Sequence, residues 1–284
     1  MNLLSIQSHV AYGHVGNSAA VFALQRLGCE VWPVHTVQFS NHTGYGTWAG
    51  EVFAADKIAA VVDGIAARGV LGACDGVLSG YVGSVATGDA ILAAVAAVKA
   101  ANLNAAYCCD PVIGNRTRGE FVRAGITQFM RERAVPAAQI VTPNHFELDR
   151  LTGRETASLA DILAAIDAIH ARGPRAVLVT SVRSNETPDG MLDVIASDAG
   201  GCYLVRTPRL TTPANGAGDL VAALFFFHYL RGGGVAAALA GATASVYGLL
   251  RRTSAAGASE MLLIAAQDEL VSPSEPLTPV PIGL

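Results

Sequence analysis

Short apolar runs alternate along this chain with alanine-rich stretches of helical period. That alternation constrains the fold more than any other feature, because strand, helix, strand is the pattern of parallel pairing through crossover helices. The apolar runs are residues 3–6, 30–37, 75–79, 105–109, 139–141 and 175–180. Residues 16–27, 56–68, 84–101 and 158–172 read as the helices among them. The pattern predicts an α/β fold, a mostly parallel central sheet covered on both faces. Residues 191–196 and 202–205 follow without an intervening helix and read as an antiparallel edge. No repeat and no linker rich in Pro, Gly and Ser divides the chain, so residues 1–284 are read as one domain. Ligands in such folds sit beyond the carboxyl ends of the strands.

A hydrophobic content of 51% with 15% charged residues predicts a sizeable core, and a net charge of −4 speaks against nucleic acid or an anionic membrane as partner. The most apolar segments, 220–230 and 235–250, are separated by Arg231 and three glycines. Neither reaches the roughly 18–20 apolar residues of a convincing span, so both read as buried helices. The first six residues lack the basic and apolar regions of a secretion signal. The five cysteines show no C-x-x-C spacing and read as reduced thiols of a cytoplasmic protein. Adjacent Cys108 and Cys109 should face opposite sides of a strand. The tail, residues 273–284 with four prolines, reads as extended, either packed or frayed.

Chemistry concentrates in a few strand-end motifs. Asn215-Gly216-Ala217-Gly218-Asp219 reads as a glycine turn opening a helix, with a carboxylate in the first turn. Free N–H groups there attract phosphate, and Asp219 can take a proton from an attacking alcohol. An ordinary helix start, with aspartate complementing the macrodipole, fits the same residues. The motif lacks a Walker lysine and the G-x-G-x-x-G spacing of a dinucleotide fold. In Cys109-Asp110-Pro111-Val112-Ile113-Gly114, Asp110 suits either Mg²⁺ and phosphate or an Asx turn. In Thr142-Pro143-Asn144-His145-Phe146-Glu147, a capping box and a pair of hydrated-Mg²⁺ holders at Asn144 and Glu147 are both open. Residues 115–119, with Arg116 and Arg118, read as a flap over a nucleotide or as a solvated loop. The loops at 5–16 and 37–46 mix hydroxyl, amide and imidazole groups with aromatics, as a small polar ring compound requires. His9, His14 and His42 lack the carboxylate or cysteine pattern of a zinc site. Tyr81, after Ser79-Gly80, either covers a ligand ring or belongs to a plain turn.

Together these motifs resemble the pyridoxal kinases of the ribokinase-like superfamily, over nearly the whole chain. The G-x-G-D run marks the superfamily; the run Val37-Gln38-Phe39-Ser40-Asn41-His42-Thr43-Gly44-Tyr45-Gly46 is the more specific part. The resemblance implies a three-layer α/β/α fold and ATP-dependent phosphorylation of pyridoxal. It implies Asp219 as the base and Gly216, Ala217 and Gly218 as the anion hole. Ser8, Thr43 and Gly44 would hold the pyridine ring, and Tyr81 would flank it. Asp110 and Glu147 would serve Mg²⁺ and phosphate, with Asn144 near the nucleotide. Thr142, Thr180 and Ser181 would lie around ATP, the two threonines also beside a monovalent cation, potassium for example. Thr207, Pro208, Arg209 and Leu210 would flank the nucleotide. A cytoplasmic homodimer is implied. Two positions depart: Asn115 stands where some relatives are acidic, and Thr180-Ser181 where some have lysine. The alternatives are a related kinase acting on hydroxymethylpyrimidine or a sugar, a nicotinamide oxidoreductase, and a non-catalytic B6-binding protein.

Overall fold

Strands that are apolar on both faces must be covered on both, and the first strand shows how. In the computed structural model, which describes residues 1–210 and 215–283, β1 (Asn2–Val10) buries Leu3 in one core and Leu4 and Ile6 in the other. The chain continues through α1 (Asn17–Arg26), β2 (Glu30–Phe39), β3 (Gly50–Val52), α2 (Ala55–Ala66), β4 (Gly76–Ser79), α3 (Val85–Ala101) and β5 (Ala106–Cys109). A small hairpin, β6 (Gly114–Asn115) and β7 (Gly119–Glu120), precedes α4 (Ile126–Phe129), a wider turn at Met130–Ala134, and α5 (Val135–Ala137). Then come β8 (Ile140–Val141), α6 (His145–Thr152), α7 (Leu159–His170), β9 (Ala176–Val182), β10 (Met191–Asp198) and β11 (Gly201–Pro208). The chain ends with α8 (Ala217–Leu230), α9 (Gly234–Ala255), α10 (Asp268–Val271) and β12 (Val280–Pro281).

Ten strands form one sheet in the order β12-β11-β10-β9-β8-β5-β4-β1-β2-β3. Strands β2, β1, β4, β5, β8 and β9 pair in parallel. Antiparallel pairing adds β3 at one edge and β10, β11 and β12 at the other. Helices α1, α8 and α9 contribute to one core; α2, α3, α6 and α7 contribute to the second. This is the three-layer α/β/α arrangement with an antiparallel edge that the alternation predicts. Cys108 lies in the first core and Cys109 in the second, so the adjacent thiols do face opposite ways. Tail residues Val280 and Pro281 pair with β11; the tail is packed as an added strand, and its last residue, Leu284, lies outside the described residues.

The two most apolar segments are core helices. By length and composition alone, α9 is apolar enough to cross a membrane. Its Ala238, Leu239, Ala242 and Leu249 are nevertheless fully buried against the protein. In α8, residues 220–227 are buried without a break. Each large side chain of this kind contributes about 1.5–3 kcal/mol. Leu220, Leu224, Phe225 and Phe226 together therefore outweigh the roughly 0.5–1.5 kcal/mol of any single hydrogen bond in seating the helix. Contact with the sheet is close: a Cβ placed on Gly76 of β4 would come within 2.5 Å of Phe226 Cζ. Greasy packing along the body of α8 thus fixes where its first turn points.

Candidate active site

Parallel strands end at the same edge of a sheet, so the loops after β1, β2, β4, β5, β8 and β9 gather there. With the start of α8 they enclose a cleft of about 470 Å³. Ser8, Thr43, Tyr81, Asp110, Thr142, Asn144, Glu147, Thr180, Ser181, Gly216, Ala217, Gly218 and Asp219 all line it. Gly44 and the run Thr207, Pro208, Arg209 and Leu210 are not among the lining residues. Gly44 stands behind Thr43 in a tight turn, its N–H donating to His42 Nδ1 at 3.2 Å. Thr207 and Pro208 pair with Leu192 and Met191, and the Arg209 N–H donates to the Gly190 carbonyl at 2.7 Å. That run therefore closes the β10–β11 ribbon.

The start of α8 brings a glycine turn to the cleft. Gly216 caps α8 at φ +84°, and as a glycine it offers no side chain to occupy the first-turn N–H groups. Only glycine fits: a Cβ here would stand 1.7 Å from the His14 carbonyl oxygen. Gly218 differs, because a Cβ there would meet nothing within 4 Å; its Cα is bare toward open space. Asp219 is partly buried. Burial raises its pKa above the usual carboxylate range, and the Gly16 backbone N–H bonded to it offsets part of that rise. A carboxylate raised in this way is a better base near neutral pH.

Two further carboxylates stand beside it. Asp110 follows β5 and accepts a hydrogen bond from the Thr142 hydroxyl at 3.0 Å. Glu147 Oε1 accepts from the N–H groups of Ile113 at 2.9 Å and Gly114 at 3.3 Å. Its Oε2 accepts from the Asn144 N–H at 2.8 Å, while Asn144 Oδ1 accepts from the Glu147 N–H at 3.0 Å. The capping box of the sequence reading is present, and it holds Glu147 at the cleft wall. Ser181, at φ 54°, is the one non-glycine residue with positive φ among the described residues. Such backbone persists only where the surroundings impose it, and it clusters at functional sites.

The same cleft also carries an apolar wall. Val10, Val15, Val37 and Phe39 form a small cluster separate from the two cores, and all four line the cleft. Phe39 lies against Trp48, ring centroids 4.1 Å apart. Val10 and Val15 are residues that reading the chain missed, because only the pairing of Val10 with Phe39 brings the wall together. Of the three histidines, only His42 lines the cleft; His9 stacks on His35 at 4.3 Å, and His14 Nδ1 lies 3.4 Å from the Ser18 carbonyl. The stretch after Gly114 is an ordered hairpin. Asn115 Oδ1 accepts from the N–H groups of Thr117 at 3.1 Å and Arg118 at 2.9 Å, which gives its side chain a turn-forming task.

The family model described as phosphomethylpyrimidine kinase matches residues 74–263. That span carries the anion turn and the carboxylates, and it omits the loops that hold Ser8, Thr43 and the apolar wall. A relative that spans both groups of residues is Pyridoxal kinase PdxY of Granulibacter bethesdensis, 58% identical over 278 residues, covering 96% of this chain and 97% of its own. The chain belongs to the pyridoxal kinase family. Pyridoxal kinase PdxY of Rubrobacter xylanophilus is 55% identical, covering 96% of this chain and 94% of its own. The solved pyridoxal kinase of Leishmania donovani, in complex with ADP and pyridoxamine, superimposes with a TM-score of 0.89 at 28% identity, covering 99% of each chain.

A pyridoxal kinase works with polyanions, and this cleft already holds three acids. Burial raises the pKa of Asp110 well above its usual range, with Glu147 and Asp219 adding to the rise. Burial likewise raises Glu147, to about 7, against the N–H groups it accepts from. Acids that hold their protons for want of a counter-charge suit a bound cation, which would displace those protons. Among the described residues no three His, Cys, Asp or Glu side chains form a cage for a metal ion. The donor set fits Mg²⁺, which keeps several waters and is held by one or two carboxylates plus substrate phosphates.

These shifts set a pH dependence. Between its ordinary 4.5 and about 7, Glu147 binds a proton more tightly in the folded chain than in the unfolded one. Its contribution to stability is therefore full below 4.5 and is lost as pH rises through about 7. In EDTA, the melting temperature of the wild type should carry a falling component across that window. Glu147→Gln should remove the component; an unchanged profile in the variant would contradict the assignment.

Proposed function

We propose that this chain transfers the γ-phosphoryl group of ATP to the 5′-hydroxyl of pyridoxal, with pyridoxine and pyridoxamine as further acceptors. The observation that carries the reading is a single cleft lined by an anion turn, a base and an apolar wall. Val10, Val15, Val37 and Phe39 take the ring, Ser8 and Thr43 bond its polar edge, and Tyr81 flanks it. The 5′-hydroxyl then points toward Asp219. That carboxylate accepts the hydroxyl proton as the oxygen attacks phosphorus. The N–H groups of Gly216, Ala217 and Gly218 bond the phosphoryl oxygens, where charge accumulates. Most of the rate comes from holding acceptor and donor in line, because phosphoryl transfer asks little covalent chemistry of the protein.

Asp110 and Glu147 would hold Mg²⁺ through its waters, and the ion would neutralise phosphate charge. Asn144, Thr142, Thr180 and Ser181 face the nucleotide, the two threonines with oxygens suited to a monovalent cation such as potassium. The reading includes one domain over the whole chain, a homodimer, and residence in the cytoplasm, where the five free thiols stay reduced. Its test is product formation from pyridoxal, pyridoxine, pyridoxamine and hydroxymethylpyrimidine with Mg-ATP, with and without potassium. Phosphorylation of the B6 vitamers supports it. Turnover of hydroxymethylpyrimidine alone would replace it with the related kinase.

A further inference from the structure

Arg118 is the one arginine or lysine among the described residues lining the cleft. It sits in the turn of the β6–β7 hairpin, where Asn115 Oδ1 accepts its backbone N–H at 2.9 Å and so fixes the direction from which the side chain leaves. The neighbouring Arg116 is engaged elsewhere, with His145 Nε2 at 3.1 Å and Asp149 at 3.9 Å. Arg118 forms no ion pair among the described residues; its guanidinium rests over Phe121, 5.1 Å from the ring centroid. One of its terminal nitrogens lies 3.8 Å from where a Cβ on Gly44 would be. The hairpin therefore carries an uncommitted guanidinium to the ring loop, in the same cleft as the anion turn.

The charges there need it. ATP brings its negative charge into a cleft that already holds the acids Asp110, Glu147 and Asp219, and the glycine turn offers N–H dipoles but no full positive charge. A guanidinium donates two parallel N–H groups to phosphoryl oxygens, a geometry that lysine cannot reproduce.

We propose that Arg118 is a catalytic residue that binds the phosphoryl group in flight. The inference rests on the kinase reading above. As the acceptor oxygen–phosphorus bond forms, the bond from the γ-phosphorus to the β,γ-bridging oxygen breaks. Its electron pair leaves with ADP, and the hydroxyl proton passes to Asp219. Arg118 stabilises the equatorial phosphoryl oxygens throughout and neither gains nor loses a proton.

The test compares wild type, Arg118→Ala and Arg118→Lys in steady-state assays with pyridoxal and Mg-ATP, together with ADP titrations and thermal melts. Arg118→Ala should lower kcat about 10²- to 10³-fold, with the melting temperature and the KM for pyridoxal unchanged. Arg118→Lys should fall between, and added guanidinium ion should restore part of the activity of Arg118→Ala. A kcat near that of wild type in Arg118→Ala overturns the proposal, as does a loss confined to KM. A kcat loss that neither lysine nor guanidinium repairs marks a structural role and also overturns it. Failure of the kinase reading looks different: wild type itself then makes no phosphorylated pyridoxal.

Discussion

Asp219→Asn should lower kcat by at least about 10²-fold, and by up to about 10⁴-fold, while ADP binding stays intact. The asparagine is nearly isosteric and can still accept a hydrogen bond from the Gly16 N–H, so the turn keeps its shape. What it loses is the ability to take a proton. The wild-type carboxyl is held above its ordinary pKa by burial, which improves its match to a neutral-pH proton transfer. A variant with near wild-type turnover would remove Asp219 from the mechanism. A variant that no longer binds ADP would mean the carboxylate shapes the nucleotide site instead. Steady-state kinetics paired with an ADP titration separates these outcomes.

Gly218→Val and Gly216→Ala should fail in different ways, although the two glycines are only two residues apart. A side chain at 218 meets no protein atom within 4 Å. In the first turn of α8, where helix propensities differ by only about 0.7 kcal/mol, Gly218→Val should fold and melt close to wild type. Its isopropyl group would occupy the space in which the phosphoryl group must sit. The expected loss in kcat is at least about 10²-fold, the scale of losing an oxyanion contact. At 216 a single methyl would collide with the His14 carbonyl oxygen, 1.7 Å away, at a φ of +84°. The strained φ alone costs about 1–3 kcal/mol, and backbone cannot rotate out of the way. Gly216→Ala should therefore lose stability as well as activity. Thermal melts of both variants beside their kinetics check the contrast; normal phosphorylation by Gly218→Val would refute the anion hole.

Much of this was legible along the chain, for a physical reason. Parallel strands buried on both faces leave continuous apolar runs, and residues 3–6, 75–79 and 175–180 all proved to be strands of the central sheet. Asp110, Glu147 and Asp219 could be named because each follows a strand or opens a helix, where local sequence and local geometry coincide. What escaped reading depends on register or on distant contacts. Strand β3 is three residues long and buries none of them, with no apolar pattern to announce it. The hairpin at residues 114–120 is set by the Asn115 amide accepting two backbone N–H groups, a bond no periodicity reveals. Val10 and Val15 join Phe39 only because β1 pairs with β2. Gly44 illustrates the reverse: its position in a specific run suggested ring contact, yet it serves the turn that presents Thr43.

The central claim is that one phosphoryl group passes from ATP to the 5′-oxygen of pyridoxal across this cleft. Incubating the protein with γ-labelled ATP, Mg²⁺ and pyridoxal, and following label and ADP together, tests it most directly. The account predicts label recovered in pyridoxal 5′-phosphate in step with ADP, and its near-disappearance in Asp219→Asn. ADP released without labelled pyridoxal 5′-phosphate, or equal transfer by Asp219→Asn, would contradict it.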